Sequence, residues 1–141
     1  MNWLSISKWY VITIMIINMT DKIKNEQASN SLFVDMLSEK YEWIFLYTIK
    51  NFGNSLKPFD IFGCRNWKMI ALEGKFHYWK KEPTPEQIFK KLEPHQVLSL
   101  YKVMQAWWYP CVVCYYNWNF IKYELQENLS LAVVENYWRE L

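Results

Sequence analysis

The sequence predicts a mixed α/β or α+β fold built on one sheet, and three observations carry that prediction. Leu32, Phe33, Met36, Leu37, Tyr41 and Ile44 fall on one stripe at helical spacing, so an amphipathic helix runs from about Ser29. Several later runs are dense in aromatic and β-branched residues, the composition of buried strands. Two proline-led helix starts, at Thr84-Pro85 and Glu93-Pro94, interrupt those runs. The predicted order is helix, three strands, helix, strand, strand, helix.

Taken in order, Trp43 to Ile49 is a buried strand, and Asn51 to Lys57 is a loop carrying Gly53, Asn54 and Ser55. Pro58 to Gly63 is a short strand with its proline at the mouth, where a missing N–H does no harm. Cys64-Arg-Asn-Trp67 joins it in a hairpin to a strand from Lys68 to Glu73 that runs on toward Trp79. Thr84, Pro85 and Gln87 supply an N-cap, a proline at the first helical position and a capping-box amide. Tyr109 to Tyr116 is a buried strand, Asn119 to Tyr123 its hairpin partner, and Ser130 to about Trp138 a last helix. The order of mixed elements without repeats or linkers fits one core.

The 141 residues suit a single domain over residues 19–141, with an apolar extension at residues 1–18 outside the core. The run Trp9 to Ile17 falls short of the roughly 20 apolar residues of a membrane span. It also has no small-residue cleavage site after it. Met19-Thr-Asp-Lys22 reads as a chain start opening into a helix. At 52% hydrophobic and 21% charged the chain is neither a disordered tail nor a coiled coil. A net charge of +2 excludes a polycation of the histone type but leaves room for a local basic face. Three cysteines, an odd number, imply no disulfide framework and point to a reducing compartment, the cytoplasm. Cys111 and Cys114, three apart in a strand, face opposite sides and read as core thiols rather than a zinc knuckle.

The chemistry gathers at Asp60, Glu73 and Lys75. If Asp60 and Glu73 lie on adjacent antiparallel strands, their carboxylates converge at one sheet end and suit a hard divalent cation. Lys75, two residues after Glu73, stands on the same face, where its ammonium can orient a water or stabilise a phosphoryl group. A charge inside an apolar strand is costly without such a task.

These residues resemble the PD-(D/E)xK nuclease superfamily, and within it the Holliday-junction resolvases of the RecU type. The resemblance rests on Asp60, Gly63, Glu73 and Lys75 in order and on His95-Gln96 opening a helix, and it covers about Glu26 to Tyr123. It implies a restriction-endonuclease-like α/β fold, a mixed central sheet flanked by helices with the core order α-β-β-β-α-β. It implies Mg²⁺, or Mn²⁺, held by Asp60 and Glu73, with Glu26 from the first helix as a third ligand and Glu39 as a weaker candidate. Lys75 and Gln96 join Asp60 and Glu73 in the implied catalytic set. The implied substrate is DNA, branched at a four-way junction, cut by a homodimer away from any membrane. Other nucleases of the superfamily and a catalytically silent DNA-binding module are the alternatives.

Lys57, Arg65, Lys68, Lys80, Lys81, Lys90 and Lys91 flank the expected site as a basic patch able to follow a phosphate backbone. One feature departs from the family pattern. The chain has nine tryptophans and three glycines, and Trp67, Trp107-Trp108 and Trp118 stand where turn glycines are expected.

Overall fold

The structure, a computed structural model, describes residues 25–50, 57–78 and 80–134. The predicted extension at residues 1–18, the start near Met19, most of the 51–57 loop and the chain beyond residue 134 lie outside the described residues. The elements are α1 (Glu26–Lys40), β1 (Phe45–Thr48), β2 (Ile61–Arg65), β3 (Lys68–Phe76), α2 (Pro85–Lys90), α3 (Pro94–Gln105), β4 (Tyr109–Tyr116), β5 (Asn119–Leu125) and β6 (Leu131–Val133).

The six strands form one mixed sheet in chain order. Among the described residues the pairs β1–β2, β2–β3, β4–β5 and β5–β6 are antiparallel and β3–β4 is parallel, because α2 and α3 carry the chain back between those two strands. Those two central strands are buried on both faces, and their apolar runs read accordingly. On one face α1 packs Phe33 and Leu37 against Ile61, Ile70, Leu72, Cys111 and Val113. On the other, Ile88, Leu92 and Leu100 from the α2–α3 region cover Ala71, Val112, Cys114, Tyr123 and Leu125. Cys111 and Cys114 thus fall in opposite cores, as the strand period requires, and burial pushes the Cys114 thiol up to about 11.

Local signals hold where the chemistry is local. The Thr84 hydroxyl accepts from Gln87 N–H while the Gln87 amide accepts from Thr84 N–H, the reciprocal box read from the sequence. α1 begins three residues before the predicted start at Ser29, at an Asn25 cap whose side chain accepts from Ala28 N–H. Tyr41 and Ile44 lie past its end and still pack on the core.

Two elements differ from the sequence reading. Among the described residues β1 is the outermost strand, with Phe45 and Tyr47 exposed, so its aromatic run signals a pleated surface rather than burial. Residues 131–133, predicted as the start of a helix, form β6. Leu131 and Val134 have helical spacing, but the edge of β5 offers backbone partners, and the turn closed by Gln126 N–H to Ser130 C=O brings the segment onto it.

Candidate functional site

The β2–β3 register places Asp60 immediately before β2, with its N–H bonded to Leu72 C=O. Glu73 and Lys75 follow on β3, and the N-termini of α1 and α3 arrive at the same sheet end from opposite faces. Their contributions are Glu26, first residue of α1, and Gln96, third residue of α3.

One carboxylate oxygen from each of Glu26, Asp60 and Glu73 lies within 4.8 Å of the other two. Asp60 is buried and well tied: Oδ2 accepts from Asn30 Nδ2 at 3.1 Å and Gly74 N–H at 2.9 Å. Its Oδ1 pairs with Lys57 Nζ at 2.7 Å, and this hydrogen bond holds the Lys57 ammonium above its ordinary range. Glu73 is 2% exposed; its Oε1 accepts from Gln96 Nε2 at 2.7 Å, and its Oε2 is buried with no hydrogen-bond partner among the described residues. Lys75, 6% exposed, brings Nζ to 3.3 Å from Gln96 Oε1, 3.6 Å from Glu73 Oε1 and 3.9 Å from Glu26 Oε1.

Burial, and then the charge of Asp60, push the Glu73 carboxyl up to about 8. Burial also raises Glu26, though its side chain is only half-buried. Near neutral pH the folded state therefore keeps a proton on Glu73 that the unfolded chain, with its ordinary value of 4.5, has lost. Stability contributed by that proton is complete below the unfolded value and lost as pH rises through the folded one. Denaturant midpoints measured across this window should fall with rising pH, and Glu73→Gln should flatten that slope.

Gln96 serves two sets of contacts. Its Oε1 accepts from Glu93 N–H, closing the α3 cap, and the same amide bridges Glu73 and Lys75. Two supporting groups escaped the sequence reading. Asn30 lies one helical turn after Glu26, and that spacing was the available signal. Gly74 owes its place to close approach: a Cβ there would lie 1.7 Å from Asn30 Oδ1. Gly74→Ala should therefore drive Asn30 off Asp60; if the carboxylate cluster takes a divalent cation, its affinity should fall about 10- to 100-fold, read by Mn²⁺ titration.

Glu39 takes no part: it sits in the last turn of α1, about 20 Å along the axis from Glu26. Arg65 and Lys68 flank the β2–β3 turn, five residues along their strands from Asp60 and Glu73, or about 16 Å toward the far end of the sheet. Arg65 there donates to Glu42 C=O at 2.8 Å and stacks over the Tyr41 ring. Lys80, Lys81, Lys90 and Lys91 instead gather around a cavity of about 860 Å³ with His77, Tyr78 and Gln87. Lys91 donates to Phe76 C=O and to His77 Nδ1, which leaves the His77 Nε2–H to donate to Lys81 C=O; burial and then the Lys91 charge push this imidazole below its ordinary range. No helix among the described residues is long and apolar enough to cross a membrane.

Compared with known proteins, the chain matches no protein-family model and no curated protein.

Proposed function

We propose that this protein is a divalent-metal-dependent DNA endonuclease of the PD-(D/E)xK type, acting on branched DNA as a junction resolvase. The observation that carries the reading is Glu73: a carboxylate almost wholly buried, with an oxygen that has no partner among the described residues, beside Asp60, Glu26 and a buried lysine. Such an oxygen is costly unless something binds it. The donors are all carboxylate oxygens, which suits Mg²⁺ or Mn²⁺. Further support comes from the run α1-β1-β2-β3, then α2, α3 and β4, which is compatible with the expected α-β-β-β-α-β order with two helices in the crossover.

Asp60 and Glu73 would hold the cation, with Glu26 completing the set from α1. When bound, it supplies charge to stabilise a phosphoryl group under attack. The chain's own residues do the rest. Asn30 and Gly74 N–H fix the Asp60 carboxylate, and Gln96 fixes Glu73 and Lys75 together. Lys75, hydrogen-bonded to Gln96 and ion-paired with Glu73 and Glu26, would direct its remaining donor capacity at a water or a phosphoryl oxygen. Lys80, Lys81 and Lys90 line the neighbouring cavity, where a strand's phosphates would lie. A homodimer would bring two such sites to a symmetric four-way junction.

The test is cleavage of labelled four-way junction and linear duplex, side by side, with Mg²⁺ and with chelator. Cleavage of the junction that chelator abolishes is the expected result; no cleavage of either DNA with Mg²⁺ or Mn²⁺ would overturn the reading. The site's protonation adds a second check. Cation binding must displace the Glu73 proton, so Mg²⁺ should raise the denaturant midpoint more near about pH 9 than near about pH 5.

A further inference from the structure

Five tryptophans lie among the described residues, and four of them hold left-handed backbone: Trp43 at φ 58°, Trp67 at 66°, Trp107 at 68° and Trp118 at 68°. Bulky side chains rarely adopt this region, because Cβ crowds the neighbouring carbonyl. Each position also belongs to a turn whose geometry favours glycine. Asn66-Trp67 and Asn117-Trp118 are two-residue hairpin loops, closed by the pairs Arg65–Lys68 and Tyr116–Asn119, with positive φ at both residues. That is the type I′ turn, for which Asn-Gly is the strongest signature.

Trp107 sits at the position after the α3 cap. Its N–H bonds Met104 C=O at 3.1 Å, and Trp108 N–H bonds Val103 C=O at 3.0 Å. Those two bonds define the Schellman motif, whose left-handed residue is usually glycine. Trp43 makes the turn from α1 into β1.

Packing gives no reason for an indole at these places. Trp43, Trp67 and Trp107 are 92%, 99% and 95% exposed, and Trp118 is 61% exposed. Tryptophan is ordinarily among the well-buried residues. The described glycines show the converse: Gly63 and Gly74 both lie in strands at close approaches, and neither is left-handed.

We propose that the protein made in its own cells carries glycine at positions 43, 67, 107 and 118, because the codon at those positions is UGA and is decoded there as glycine. UGA is read as tryptophan by some translation systems and as glycine by others. A codon with two meanings replaces one residue type by one other, at sites unrelated in sequence, which is the pattern seen. Independent point mutations would scatter over many residue types. The proposal is independent of the function proposed above.

The experiment is to read the four codons in the gene and to sequence, by mass spectrometry, the peptides spanning residues 43, 67, 107 and 118 from protein purified out of the native cells. UGA codons with glycine in the peptides are the expected result. UGG at these codons, or indole in the peptides, would overturn the proposal. In that event Trp43, Trp67 and Trp107, which share the sheet end remote from the carboxylates, would stand as an exposed aromatic surface.

Discussion

Glu73→Gln should lower Mg²⁺-dependent DNA cleavage at least about a thousandfold, a loss of about 4 kcal/mol of transition-state stabilisation. The amide keeps the volume of the side chain it replaces in a fully buried position, so the fold survives. It removes the anionic oxygen that Oε2 would offer a cation, and it leaves Lys75 facing a neutral neighbour. On the proposed reading, affinity for DNA should change little, because it would come from lysines meeting phosphates rather than from the carboxylates. Cleavage assays and gel-shift titrations on the same preparation check both halves. Wild-type cleavage by the variant would make Glu73 a structural group, and loss of binding with cleavage would place it in the DNA contact.

Glycine in place of the four left-handed tryptophans should stabilise the fold by about 4 kcal/mol in total, roughly 1 kcal/mol at each site. The gain is the relief of left-handed strain, less the larger unfolded-state entropy of glycine. The four turns are separate in sequence and their indoles are mostly exposed, so the increments should add. Trp67→Gly should give a full increment, since that indole touches almost nothing, and Trp118→Gly a smaller one, since its side chain is partly covered. Denaturant midpoints at equal slope measure each change. Against a typical domain stability of about 5–15 kcal/mol, the sum is large. A lower midpoint for Trp67→Gly would mean that the β2–β3 turn is not a type I′ loop.

Much of the frame was legible because its causes are local. The Thr84-Pro85-Gln87 cap, the second start at Glu93-Pro94 and the period of α1 each depend on residues within a turn or two. The hairpins were legible through Asn66 and Asn117, even with tryptophan where glycine belongs. The face-splitting of Cys111 and Cys114 follows from the strand period alone. The pairing of Asp60 with Glu73 and Lys75 followed from two adjacent strands and an i, i+2 spacing.

Tertiary structure decided whatever depends on partners far along the chain. Residues 131–133 became a strand because β5 had an edge to satisfy, a demand invisible in their own spacing. β1 is the outermost strand among the described residues, and its aromatic run there stands largely exposed. Asn30 reaches Asp60 only because Gly74 lets α1 approach β3, a contact between residues thirty apart. Arg65 and Lys68 went to the far end because strand direction, not closeness in sequence, fixes which end a turn occupies. The raised Glu73 carboxyl and its unpartnered oxygen are likewise products of burial, which only the packed sheet and its two helix layers create.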